Sequence, residues 1–419
     1  MRKSLIAVSI IAMVGAGIYL LQRPDKDLDM VEFLQAYINI NTAQPTPDYG
    51  SALTFLKRQA TRDGFAIQEV PLPSGNKVLV VSQLGTDQAL PALALNHHID
   101  VVPIGNQADW KHDPFAGTIE SGIIYGRGTQ DMKGIGVAQY YALKAIKEAG
   151  ITLKRTVHLL MVPDEEVGGF KGVNEFVKTE VFSRLNIGFV LDEGVASGAD
   201  NTLLIKIGER KPIQIRLTST GTEGHGSKIK CCNAAANLAM LLARIASFQE
   251  EQKVRANTIE AGQLLSMNIT SLQAGVMRNG TVALNVVPNT ATATVDIRVP
   301  PSITMQQAHA ILDDMMHDFP SIHYEVLATI SDPKGSVSVN SPLYHILAKT
   351  IEGQGLQAQS FYFEATTDTR YYLACGIQGF GLTPFTCKEN LHGVDESITV
   401  DDLKLGQRIF YDVIRAFCT

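Results

Sequence analysis

Apolar positions along this chain follow two patterns, and the change between them divides it. From residue 28 to 65, apolar and polar residues recur at helical spacing, with a break at Pro45-Thr46-Pro47. Strand-like runs come next at 78–81 and 92–102. A helical period then covers 132–148, where Ile135, Val137, Tyr140, Leu143 and Ile146 recur. Further strand-like runs occupy 156–162, 187–191 and 203–207. Strands alternating with helices predict an α/β domain, its mostly parallel sheet covered on both faces.

From Pro212 the order becomes strand (213–218), helix (234–248), strand (264–272), strand (282–297), helix (305–319) and strand (322–327). That β-α-β-β-α-β succession is the ferredoxin-like order. Its central strands meet at Arg278-Asn279-Gly280, a hairpin-turn signal. After Pro342 the first pattern returns, with helices at 343–351 and 403–417. The simplest organisation is a small domain, 211–331, inserted into a larger one made of 25–210 and 332–419. No internal repeat or low-complexity stretch interrupts it.

The N-terminus stands apart. Arg2 and Lys3 precede Ser4 to Leu21, eighteen residues without a charge, and Arg23-Pro24-Asp25 comes after them. The run is slightly short of the roughly 20 residues that span a bilayer. Residues 1–24 read as a signal-anchor, or as a signal peptide cut near Val14-Gly15-Ala16. A buried core helix is the blander reading, and the absence of a polar face counts against it. Basic residues ahead of the run place the remainder of the chain on the non-cytosolic side, in the secretory pathway. The protein is then either single-pass membrane-anchored or secreted after cleavage. Asn268-Ile269-Thr270 and Asn279-Gly280-Thr281 fit the glycosylation acceptor pattern, which also arises often by chance.

A length of 419 residues allows two domains, and a charge balance of 36 basic against 42 acidic residues, net −6, argues against a nucleic-acid partner. The 5 cysteines (Cys231, Cys232, Cys375, Cys387, Cys418) are odd in number and irregularly spaced. They give no disulfide framework and no metal knuckle.

Chemistry concentrates at strand ends. In Asn96-His97-His98-Ile99-Asp100, His98 and Asp100 are two apart and share a face of a strand. In Pro163-Asp164-Glu165-Glu166, the adjacent acids diverge, so one can hold a metal while the other carries a proton. His98, Asp131, Glu166, Glu193 and His392 each lie at a strand end or in a loop of the larger domain. Singly, each has an ordinary explanation: Asp131 an N-cap, Glu193 a turn acid, His392 a loop histidine. Together, two imidazoles and three carboxylates suit two zinc ions or similar divalent metals, with one carboxylate bridging.

From about residue 30 to the C-terminus the chain resembles the zinc exopeptidase family that contains the aminoacylases. The resemblance rests on His98-Ile99-Asp100-Val101-Val102-Pro103, the Gly126-Arg127-Gly128 loop through Asp131-Met132-Lys133-Gly134, and Pro163-Asp164-Glu165-Glu166-Val167-Gly168-Gly169. Leu191-Asp192-Glu193-Gly194, Gly224-His225-Gly226-Ser227, Thr367-Asp368-Thr369-Arg370 and Leu391-His392-Gly393-Val394-Asp395-Glu396 add to it. The resemblance implies that Asp131 bridges two metals. His98 and Glu193 would complete one site, Glu166 and His392 the other, and Asp192 is the alternative to Glu193. It implies Glu165 as general base and Asp100 as the acid orienting a histidine ligand. The doubled histidine is a departure from the family pattern; the His-x-Asp spacing favours His98 over His97. His225 would reach a partner subunit's site and stabilise the oxyanion, helped by Asn285 and Arg298. Arg370 would clamp the substrate carboxylate. Without the resemblance His225 is a loop histidine and Arg370 a surface salt bridge.

The expectation is therefore an α/β zinc-exopeptidase-type catalytic domain with an inserted ferredoxin-like dimerisation or lid domain. It would hold two Zn2+ per subunit, with Co2+ or Mn2+ as substitutes, and form a homodimer through the inserted domain. Its reaction would be hydrolysis of the amide of N-acyl-L-amino acids, with the reverse reaction also open to it. The alternatives are a dipeptidase or carboxypeptidase of the same fold, or a non-catalytic binding ectodomain that would have lost Glu165 or a ligand.

Overall fold

The apolar run at 92–102 becomes strand Ala92–His98, with every residue buried, and it stands near the centre of an eight-stranded sheet. The structure, a computed structural model, describes residues 28–198, 201–229, 232–329, 335–386 and 390–419. The N-terminal segment 1–24, Cys231 and Cys387 lie outside the described residues. Among those described, no helix is long and apolar enough to cross a membrane, and Cys375 and Cys418 are free thiols.

The sheet is mixed rather than mostly parallel. Its order is Ala66–Pro71, Lys77–Gln83, Val157–Val162, Ala92–His98, Ile187–Asp192, Gln378–Leu382, Thr202–Glu209, Gln357–Phe363. The four central strands, Val157–Val162 to Gln378–Leu382, pair in parallel. Outside them Ala66–Pro71 pairs antiparallel with Lys77–Gln83, which pairs antiparallel with Val157–Val162, and Gln378–Leu382 pairs antiparallel with Thr202–Glu209. The reason at one edge is local: only a short turn at Ser74-Gly75 joins Ala66–Pro71 to Lys77–Gln83, too little chain for a parallel crossover.

Both faces are covered, which is why the central strands are mostly apolar, with polar residues such as Asn96, His97, His98 and Asp192 gathered toward their C-terminal ends. On one face Val78, Val80, Ala94, Leu160, Val162 and Val190 pack with Val173, Phe176, Phe182 and Tyr372 from three short helices. Lys133–Glu148 packs against Ala92–His98 and Val400–Cys418.

The chain divides into two units. Of the described residues, one unit contains those up to Ile207 with those of Val337–Ser360 and Thr367–Thr419; the other contains those of Gly208–Ser336 and Phe361–Thr366. The smaller has an antiparallel sheet ordered Ser266–Ala274, Thr290–Val299, Lys211–Thr220, Ile322–Thr329, the ferredoxin-like arrangement. Alternate residues Ile213, Ile215, Leu217, Ala293, Val295 and Ile297 face helices Ala234–Arg255 and Met305–Met316. The strand expected over 282–297 is divided: Thr281–Val282 closes a hairpin with Met277–Arg278, Val286–Val287 pairs with Gly224–His225, and only Thr290–Val299 joins the sheet. At the hairpin tip Asn279 and Gly280 have φ of 51° and 81°, as a turn of that type requires.

Candidate metal centre

The parallel strands end at one edge of the larger unit, and the ligand candidates collect there. His98 is the last residue of its strand. Beyond it the chain leaves the sheet, because Val101 pairs with the 42–44 segment: its N–H donates to Thr42 O at 3.1 Å and its carbonyl accepts from Gln44 N at 2.9 Å. The strand therefore stops short of 102, and Asp100 lies just beyond its end. The Asp100 carbonyl lies 2.9 Å from His98 Nδ1, and its carboxylate is 3.8 Å from the same nitrogen. The carbonyl fixes the proton on Nδ1 and leaves Nε2 to face the site.

Asp131 occupies the centre. Its Oδ1 is 2.8 Å from His98 Nε2 and its Oδ2 is 2.9 Å from His392 Nε2. Glu193 Oε1 lies 3.7 Å from His98 Nε2, and Glu166 Oε2 3.9 Å from His392 Nε2. His98, Asp131 and Glu193 thus form one possible ligand group, and Asp131, Glu166 and His392 another, with ligand atoms in each within 4.8 Å of one another. Asp131 does not cap the helix beyond it; the N-cap is Met132, without a side-chain bond. Its loop depends on Gly128, at φ 89°, where a Cβ would sit 2.7 Å from Val101 Cγ1.

The charged groups at this site act strongly on one another. Burial raises the Asp131 carboxyl, but hydrogen bonds from His392 and His98 outweigh that and hold it well below the usual range. Burial opposes charge on His98, yet Glu193 and Asp131 raise it well above the ordinary histidine value. Glu166 and Glu193 are both pushed up by burial and then by Asp131. Three packed carboxylates and two imidazoles make a donor set that divalent cations would satisfy. Carboxylates and imidazoles in this proportion fit zinc or a similar divalent ion.

Glu165 and Glu166 open a short turn, and their backbone N–H groups donate to Asp100 Oδ1 and Oδ2 at 3.1 and 3.2 Å. The Glu166 side chain also accepts from Val102 N at 3.1 Å. Burial pushes the Glu165 carboxyl up to about 7, a value suited to a proton carrier. Asp192 is spent elsewhere, accepting from Asn96 Nδ2 at 2.8 Å and Thr369 Oγ1 at 2.7 Å, so Glu193 is the acid that faces His98. His97 points to the opposite side of the strand, 3.4 Å from the Tyr37 hydroxyl and over Gly136, where a Cβ would be 2.6 Å from its ring. Burial pushes it down to about 3, leaving a neutral core histidine.

Arg370 is buried rather than on the surface, and it donates to Thr367 O at 2.7 Å and Gly168 O at 2.6 Å. It therefore fixes the turn just after Glu165-Glu166. Beside it Asp368 is fully buried with neither carboxyl oxygen hydrogen-bonded. His225, Asn285 and Arg298 belong to the smaller unit. The structure brings the first two together: His225 pairs with Val286, and Asn285 O accepts from Gly226 N at 2.7 Å. Both are exposed. Arg298 grips Asp296 through Nε at 2.6 Å and Nη2 at 3.1 Å, with Nη1 on Thr366 Oγ1 at 3.2 Å.

Sequence reasoning gave no role to Glu396 and Arg127, a buried pair 2.7 Å apart behind the ligands. Both lie inside the motif blocks, but an acid in a loop and an arginine between glycines carry no spacing signal.

Residues 94–416 match peptidase family M20/M25/M40, and the chain belongs to that family. It is 34% identical to aminoacylase-1 of Mus musculus over 403 residues, covering 94% of this chain and 97% of that protein. Among solved structures, the M20 family metallo-carboxypeptidase Sso-CP2 of Sulfolobus solfataricus shares the fold, with a TM-score of 0.71 at 18% identity over 93% and 99% of the two chains. The YXEP protein of Bacillus subtilis, described as a dinuclear metal-binding peptidase, matches with a TM-score of 0.64 at 15% identity over 92% and 98%.

Proposed function

We propose that this protein is an aminoacylase-type metal-dependent amidohydrolase that cleaves N-acyl-L-amino acids to a carboxylate and a free amino acid. The observation that carries the reading is Asp131 held between His98 and His392, with Glu165 alongside. The likeness to aminoacylase-1 over nearly the whole chain supports the substrate class. Two divalent cations, zinc foremost, would be held by His98, Asp131 and Glu193 and by Asp131, Glu166 and His392. Bound there, they supply Lewis acidity that polarises the amide carbonyl and lowers the pKa of water.

Glu165 removes a proton from the attacking water and returns it to the leaving nitrogen. Asp100 holds Glu165 by its backbone, so the carboxylate stays aimed. Arg370 takes the free carboxylate of the substrate, which selects acyl amino acids over their amides. His225, with Asn285 and Arg298, completes the oxyanion site of a partner subunit in a homodimer formed through the smaller unit. The N-terminal segment delivers the enzyme to the secretory pathway, anchored or cleaved; a protease-protection assay finding the enzyme exposed to the cytosol would contradict this.

A substrate panel on the zinc-loaded protein tests the assignment. N-acyl-L-amino acids should be turned over at least about tenfold more efficiently, by kcat/KM, than dipeptides or carboxypeptidase substrates. The reverse order would make it a peptidase.

A further inference from the structure

The Glu396 carboxylate is fully buried and accepts from both the loop that carries Asp131 and an arginine that touches the loop carrying His392. Its Oε1 takes the backbone N–H groups of Gln130 at 2.8 Å and Asp131 at 3.3 Å. Its Oε2 takes Gly128 N at 3.1 Å and Arg127 Nη1 at 2.7 Å. The other guanidinium nitrogen, Arg127 Nη2, donates to His392 O at 3.2 Å and more weakly to Pro103 O at 3.4 Å. The Arg127 guanidinium also stacks over the Trp110 ring, 5.1 Å from its centroid, which limits its freedom.

These contacts matter because of where the two loops meet. His392 has φ 59°, an uncommon conformation for a residue with a side chain, and its ring is half-exposed. Its Nε2 lies 2.9 Å from Asp131 Oδ2 and 3.9 Å from Glu166 Oε2. Backbone N–H groups at 128, 130 and 131 that converge on one anion cannot all turn elsewhere without unwinding the loop.

We propose that Glu396, acting through Arg127, is a positioning residue that sets Asp131 against His392 and so fixes the geometry of the second metal position. This rests on the metal reading above. A neutral side chain of the same size would present N–H groups to N–H groups, and the loops would separate.

The test uses cobalt(II) as probe on the full chain, following metal binding by titration calorimetry and the visible absorption of the bound ion. Wild-type protein should bind cobalt with a low-symmetry d–d spectrum; no binding by wild type would sink the metal reading itself and leave Glu396 without a role. Given wild-type binding, Glu396→Gln should weaken cobalt affinity by about tenfold or more and change the spectrum, at a circular dichroism spectrum equal to wild type. Wild-type affinity and spectrum in that variant would overturn the proposal. Should Glu396→Gln fail to fold, Arg127→Lys serves in its place. It keeps a charge for Glu396 but loses the fork to His392 O, and the same loss of affinity is expected. Unaltered cobalt binding by Arg127→Lys would overturn the proposal equally.

Discussion

Asp100 carries Glu165 by the backbone: its carboxylate accepts the Glu165 N–H at 3.1 Å, while its carbonyl lies 2.9 Å from His98 Nδ1. One residue thereby ties the proposed base to a proposed ligand. Removing the side chain leaves the N–H groups of Glu165 and Glu166 without an acceptor, while Gln44 Nε2 loses one of its two partners and keeps the Tyr49 hydroxyl at 3.2 Å. Asp100→Ala should cost on the order of 1–3 kcal/mol for each unsatisfied group that remains buried. Urea denaturation of the metal-free protein checks this; a change under about 0.5 kcal/mol would show that the turn holds itself.

The adjacent acids should separate by experiment. Glu165→Gln should keep its metals and lose roughly a hundredfold or more in turnover, since only the proton carrier is removed. Glu166→Gln should instead lose metal, because its carboxylate is one of the group around Asp131 and His392. Elemental analysis of the two purified variants distinguishes them, and equal metal content would mean the roles are misassigned.

His97 supplies a pH signature. Its folded-state value of about 3 lies below the 6.5 of an unfolded histidine, so the unfolded chain takes up the proton first. The stability associated with neutral His97 is present above pH 6.5 and is lost as pH falls toward 3. The slope reaches at most about 1.4 kcal/mol per pH unit. His97→Asn, measured against wild type by urea unfolding from pH 7 to 4, should show a shallower fall while keeping its metals. Loss of metal in that variant would reopen the choice between His97 and His98.

Arg370→Ala separates two uses of one side chain. As a substrate clamp, its loss raises KM for free acyl amino acids far more than for their amides. As a support for Gly168 alone, its loss lowers kcat on both substrates alike. The first pattern is expected.

Periodicity exposed the larger elements because a buried helix or strand must repeat its apolar face. Thus 132–148 and 403–417 correspond to Lys133–Glu148 and Val400–Cys418. It could not place Gln357–Phe363, which alternates weakly with no continuous apolar side, or the small sheet of Thr118–Glu120, Ile123–Tyr125 and Ser397–Thr399. Ligand candidates were legible because His98, Asp131 and Glu166 stand in motif blocks at strand ends. What supports them was not: Asp100 acts through a carbonyl and through backbone amides, and Glu396 does so from 265 residues away in sequence from Asp131. Such bonds depend on a fold, not on a spacing.

The central claim is that amide hydrolysis here requires metal held around Asp131. The most direct measurement is the rate of hydrolysis of one N-acyl-L-amino acid by chelator-stripped protein, as zinc is returned in known equivalents. The account predicts no activity in the stripped protein and a rise that levels near two equivalents per chain. Full activity in the stripped protein, with metal absent by elemental analysis, would contradict it.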